Sequence, residues 1–151
     1  MATLVEKITA PEVAPQVLDA TLQLVEEEVA SKRGLSGAAV KAGYAVVKAV
    51  KPGFIKGAIE SLLPDFARAL QPMHEASGAS AGGDGSGEAF TQHLLAHRSE
   101  AAEALLSVTD RKAENAKNKT VKKTYDRMRG GAKSHVEAAI PNLARTLGRF
   151  A

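Results

Sequence analysis

The stretch His93-Leu-Leu-Ala-His97-Arg-Ser-Glu100 sets two imidazoles and a carboxylate at i, i+4 and i+7. On a helix these positions project from nearly one side, and two imidazole nitrogens with a carboxylate oxygen can hold a zinc ion while leaving one coordination position open. His93, His97 and Glu100 are therefore the metal-ligand candidates. The pattern is loose, because HExxH is absent and no Glu-x-x-His pair of the di-iron bundles occurs. The three residues also fall at the edge of an apolar stripe of Phe90, Leu94 and Val108, where polar boundary residues belong in any bundle.

Other catalytic chemistries lack their parts. Ser134 and His135 are sequence neighbours, about 100° apart on a helix, and no strand-to-helix elbow exists to expose a serine. Glu26-Glu27-Glu28 and the Glu100/Glu103 pair read as solvated charge runs rather than acid–base pairs. No glycine-rich loop follows a strand, so a phosphate cradle is missing. The chain has no cysteine, which removes thiolate metal sites, thiol redox chemistry and a cysteine nucleophile. No cofactor is implied, and the expectation is a non-enzymatic protein.

Two stretches suggest binding. Residues 110–133 carry nine bases against Asp110, Glu114 and Asp126. On a helix over about residues 111–129, Lys112, Lys119, Lys122, Lys123 and Arg129 form a basic patch opposite Val121, Tyr125 and Met128, a candidate surface for nucleic acid. Aromatic residues for base stacking are missing from it, and the net charge is only +3. Residues 34–64 space lysines among Ala, Val, Gly and Ile in the manner of amphipathic helices that lie on a membrane surface or take up a hydrophobic ligand. The same faces also build ordinary bundle cores.

The elements that carry these residues read as helices throughout, since Ala, Leu, Val, Lys and Glu dominate and aromatics are 4% of the chain. A short helix is expected near residues 2–8. Val17, Leu18, Thr21, Leu22, Val25 and Val29 define another over about 15–33, ending at Gly34. Ser36 is placed to cap a third, which Pro52-Gly53 breaks; Ile55, Ile59, Leu62, Leu63, Phe66 and Leu70 mark a fourth over about 54–73, with Pro64 expected to kink it. Residues 88–108 read as one helix. Thr109 or Asp110 would cap the next, about 111–129, and Gly130-Gly131 would end it before a last helix, about 132–148, that contains Pro141. Residues 77–87, SGASAGGDGSG, offer no side chains to bury and read as a flexible linker between halves 1–76 and 88–151 of one domain.

The halves resemble each other. Shifting the first by 81 positions lays Val40-Lys41, Tyr44, Val47 and Lys48 on Val121-Lys122, Tyr125, Met128 and Arg129. A shift of 77 lays Gly53, Lys56, Glu60, Pro64, Ala67-Arg68 and Leu70 on Gly130, Lys133, Glu137, Pro141, Ala144-Arg145 and Leu147. Amphipathicity alone does not demand shared Pro, Gly and Tyr positions, so an internal duplication about a pseudo-two-fold axis is expected. The runs VASKRGLSGAAVKAGYAVVKAVKPGFIKGAIESLLPDFARAL and LLSVTDRKAENAKNKTVKKTYDRMRGGAKSHVEAAIPNLARTL are similar to a group of small bacterial proteins known only as a domain of unknown function. That resemblance implies no activity, substrate or cofactor.

The sequence thus predicts a single all-α bundle of about six helices built from two related halves. No stretch approaches the ~20 apolar residues that span a bilayer, and no secretory leader is seen, so a cytoplasmic protein is expected. An interaction or scaffold role, with a protein partner or a homo-oligomer, leads; a lipid surface or hydrophobic ligand and a nucleic acid follow.

Overall fold

A computed structural model describes residues 3–79 and 85–151, the side chains of Leu35 and Ser36 excepted. Among these residues the chain forms seven helices and no strand: α1 (Leu4–Thr9), α2 (Ala14–Ser31), α3 (Gly34–Lys48), α4 (Phe54–Ala76), α5 (Ser86–Ala96), α6 (Arg98–Glu114) and α7 (Lys119–Gly148). The all-helical class matches the expectation, and the short first helix is present. Thr3 caps α1 through a reciprocal pair with Glu6.

Several boundaries differ from the sequence reading. The helix expected over 88–108 is two helices, broken at His97. The helices expected over 111–129 and 132–148 are one, α7, which runs through Gly130 and Gly131. A glycine ends a helix by taking a positive φ; Gly78 does so just past α4, whereas Gly130 and Gly131 keep negative φ within α7. Helical glycines cost about 1 kcal/mol each relative to alanine, and α7 offsets this by packing its length against α2, α3, α5 and α6. Thr109 and Asp110 lie inside α6 rather than at a cap; Asn118 caps α7 by accepting the Val121 amide at 3.1 Å. Ser36 sits within the first turn of α3, whose N-cap is Arg33. Neither Pro64 nor Pro141 ends its helix, and α4 tolerates Pro72 as well.

The core joins the two halves of the chain. Leu4, Val17 and Leu70 from the first and Phe90, Leu94, Ile140 and Leu147 from the second are fully or almost fully buried in one cluster. Of the stretch read as a linker, 80–84 lie outside the described residues, Ala79 is buried in the core, and Ser86 and Gly87 belong to α5. Among the described residues no helix is long and apolar enough to cross a membrane.

Candidate ligand-binding cleft

The most apolar cleft arises where α2 lies across α4 and the C-terminal half of α7. Each of these helices turns an i, i+3, i+4 face inward: Thr21, Leu24 and Val25 on α2, Leu63, Phe66 and Ala67 on α4, Val136, Ile140, Leu143 and Leu147 on α7. Ile8 and Leu105 complete the floor. The small side chains of Ala67 and Ala139 leave the helices' facing surfaces incompletely filled. A cavity of about 240 Å³ results, and its walls are almost wholly carbon. That exceeds the ~150 Å³ apolar cavity that admits benzene, and approaches the ~300 Å³ at which small-molecule pockets begin.

The charged and titratable lining residues are Glu28, Lys32 and His135, all half-buried, while the buried Thr21 hydroxyl is taken up by the Val17 carbonyl at 2.8 Å. The Lys32 ammonium donates to the His135 backbone carbonyl at 3.3 Å, which carries the cation across the opening from the end of α2 to α7. A second depression of about 440 Å³ lies between α1, α2 and α4, but it is edged by the opposed charges of Lys56 and Glu60 and is less apolar. The first cleft is the better container for a hydrocarbon.

The sequence-predicted metal ligands do not assemble. His97 terminates α5, so Glu100 belongs to α6 and the i, i+4, i+7 register is lost. The His97 ring explains the break. Its Nδ1 donates to the His93 carbonyl at 2.8 Å, replacing the amide bond that a continuing helix would make, while the His97 amide turns to Leu94. The two imidazoles stack at 4.1 Å. Burial, and then the neighbouring His97, hold the His93 imidazole below its usual range. Among the described residues no group of three His, Asp or Glu side chains is placed to hold a metal ion.

The predicted basic patch is divided. Lys112 is on α6, where it pairs with Asp65 at 3.2 Å; Lys119, Lys122, Lys123 and Arg129 are on α7, beyond the turn at 115–118. Lys122 pairs with Asp126 at 3.5 Å, and Arg129 grips both oxygens of Asp110 at 2.8 and 3.2 Å. Tyr125 donates to the same carboxylate. The Arg129 and Tyr125 bonds hold Asp110 below the usual carboxylate range, and burial followed by the Asp110 bond pushes the Tyr125 phenol up to about 12. Lys119 and Lys123 stay exposed.

The cleft residues escaped sequence reading for a physical reason. Val25, Val29, Leu63 and Ile140 have the periodicity of core positions, and periodicity cannot tell a filled interface from an unfilled one. Glu28 reads as one of three consecutive glutamates, and Lys32 as an ordinary residue at a helix end.

No curated protein and no solved structure matches the chain. A family profile described as "Family of unknown function (DUF6918)" matches residues 4–151, so the chain belongs to that family.

Proposed function

We propose that this protein binds an amphiphile with one apolar chain and an anionic end, the chain in the cleft between α2, α4 and α7 and the anionic end at Lys32. The observation that carries this reading is a carbon-walled cavity whose rim bears a cation already bent across the opening. Burial of hydrocarbon there is worth roughly 0.8 kcal/mol per methylene, and a carboxylate at Lys32 replaces a neutral carbonyl with a charged acceptor. No catalytic step is needed. This reading stands ahead of a scaffold role because it rests on a feature of the molecule instead of on missing signatures.

The internal duplication inferred from the sequence supports it. Tyr44 donates to Glu26 at 2.8 Å, and Lys48 one turn on reaches the same carboxylate at 3.9 Å. Tyr125, Asp110 and Arg129 repeat that triad in the second half. A smaller cleft is lined by Thr109, Ala113, Ala116, Val121, Ala58 and Leu62, among others that include Lys112 and Tyr125. The first six stand at the positions equivalent to Val25, Val29, Lys32, Val40, His135 and Ala139 of the larger one, with a constant offset within each helix. On that reading the two clefts occupy equivalent places in the repeat. Only one keeps polar groups at the Lys32 and His135 positions; the other has Ala116 and Ala58.

Calorimetric titration with decanoate and with decanol tests the reading. Decanoate is expected to bind with a Kd on the order of tens of micromolar. Lys32→Glu should weaken decanoate about tenfold and leave decanol unchanged, and Ala139→Phe should abolish both by filling the cavity. Absence of binding, or binding indifferent to Ala139→Phe, would overturn it.

A further inference from the structure

The charges of this chain are segregated along its length. Residues 32–59 contain Lys32, Arg33, Lys41, Lys48, Lys51 and Lys56 and no acid; residues 117–133 contain seven bases and one acid, Asp126. The two segments meet in space. They form α3 with the start of α4, and the N-terminal half of α7, and α3 packs on α7 so closely that a Cβ on Gly43 would run into the Met128 sulfur. Together the two segments hold 13 of the 20 bases with one of the 17 acids, a net +12, while the rest of the chain carries 7 bases and 16 acids, a net −9.

Neighbouring helices neutralise only the inner part of this face. Glu26 meets Lys48, Glu103 meets Lys133, Asp110 meets Arg129, and Asp126 meets Lys122. Lys41, Lys51, Lys56, Lys119, Lys123 and Arg127 are exposed and make no ion pair among the described residues. Between α3 and α7 runs a groove of about 300 Å³ edged by Lys123 and Arg127 on one side and Val46 on the other. Val46, 44% exposed, is the exposed large hydrophobic residue of the described chain.

We propose that the α3/α7 face docks on an anionic membrane surface, its lysines and arginines at the lipid headgroups and Val46 in the interface. Long basic side chains suit this because their stems lie along apolar surface while their charges reach the phosphates. Nucleic acid fits less well. The one Asn or Gln in residues 32–59 and 117–133 is Asn118, and its side chain is engaged in capping α7 rather than free to read base edges. Tyr44 and Tyr125 are half-buried, with their hydroxyls bound to Glu26 and Asp110, so they offer no stacking platform. The docking stands apart from the amphiphile reading. The two are joined by place, since Lys32 and Val40 belong to the basic segment and also line the cleft, so a docked molecule would hold the cleft mouth beside the bilayer.

Co-sedimentation with phosphatidylcholine vesicles, with and without phosphatidylserine, tests the proposal. Binding is expected only to the anionic vesicles, with loss when salt is raised until the Debye length falls to about 3 Å. Each basic residue near such a surface adds roughly a factor of five in affinity, so Lys119→Glu/Lys123→Glu/Arg127→Glu should lose more than a hundredfold, and Val46→Ser should lose affinity at unchanged charge. All four positions are exposed, and circular dichroism checks that the variants fold. Decanoate binding by the triple variant should be unchanged, which separates failure here from failure of the cleft. A wild type that stays in the supernatant at low salt, or a triple variant that still sediments, would overturn docking. Tighter binding to duplex RNA than to vesicles, unaffected by Val46→Ser, would assign the face to nucleic acid instead.

Discussion

His74 is the one histidine with no exposed surface; its ring meets Phe90 edge to face at 5.2 Å, and its Nε2 lies 3.5 Å from the Ala151 carbonyl. Burial pushes its imidazole below the usual range, the Ala151 carbonyl opposes that shift, Lys7 adds to it and Glu75 offsets it. The unfolded chain thus takes up this proton more readily than the folded one. Stability is fully present above the unfolded imidazole value of about 6.5, and it falls as pH drops from there toward the lower folded value. His93 is shifted in the same direction. Thermal unfolding followed between about pH 7 and pH 5 should therefore show a Tm that declines on acidification, less steeply in His74→Gln. An equal slope in the variant would remove His74 as a source.

At the scale of elements, α5 and α7 touch through glycine. A Cβ on Gly87 would run into the Gly148 carbonyl oxygen, and one on Gly148 into the Thr91 hydroxyl, which itself donates to the Ala144 carbonyl at 3.1 Å. Backbone cannot swing aside as a side-chain tip can. Gly87→Ala is expected to cost about 1–3 kcal/mol in urea unfolding, against a smaller effect for Gly57→Ala, where the added carbon meets open space. Equal costs at the two sites would contradict the close approach. Gly87 was legible in the sequence only as part of a small-residue stretch, since its role depends on a helix end 61 positions later. Long amphipathic stripes such as those of α2 and α4 were legible because burial of one face imposes the period. The break at His97 was not, because no Gly or Pro marks it and an imidazole does the work of a cap. The continuity of α7 was hidden for the opposite reason: Gly130-Gly131 carries a strong local stop signal that packing along both halves overrides.

On the scale of the whole molecule, two asymmetries bear on function. The larger cleft has Lys32 and His135 where the smaller has Ala116 and Ala58, and the smaller has Lys112 where the larger has Glu28. The segments that form α3 and the start of α7 are strongly basic, while the acidic residues belong mostly to the other segments of the chain. The charge segregation can be read directly from the sequence once α3 and α7 are known to be neighbours, whereas the cleft is a matter of unfilled volume, which no residue pattern encodes. The central claim is that the α2/α4/α7 cleft is a binding site. Methyl NMR spectra of Leu- and Val-labelled protein titrated with decanoate test it most directly. Saturable shifts should be confined to cleft methyls such as Leu24, Val25, Val136 and Leu143, with Val121 and Leu62 of the smaller cleft unmoved. Shifts spread over the surface, or none at saturating ligand, would contradict it.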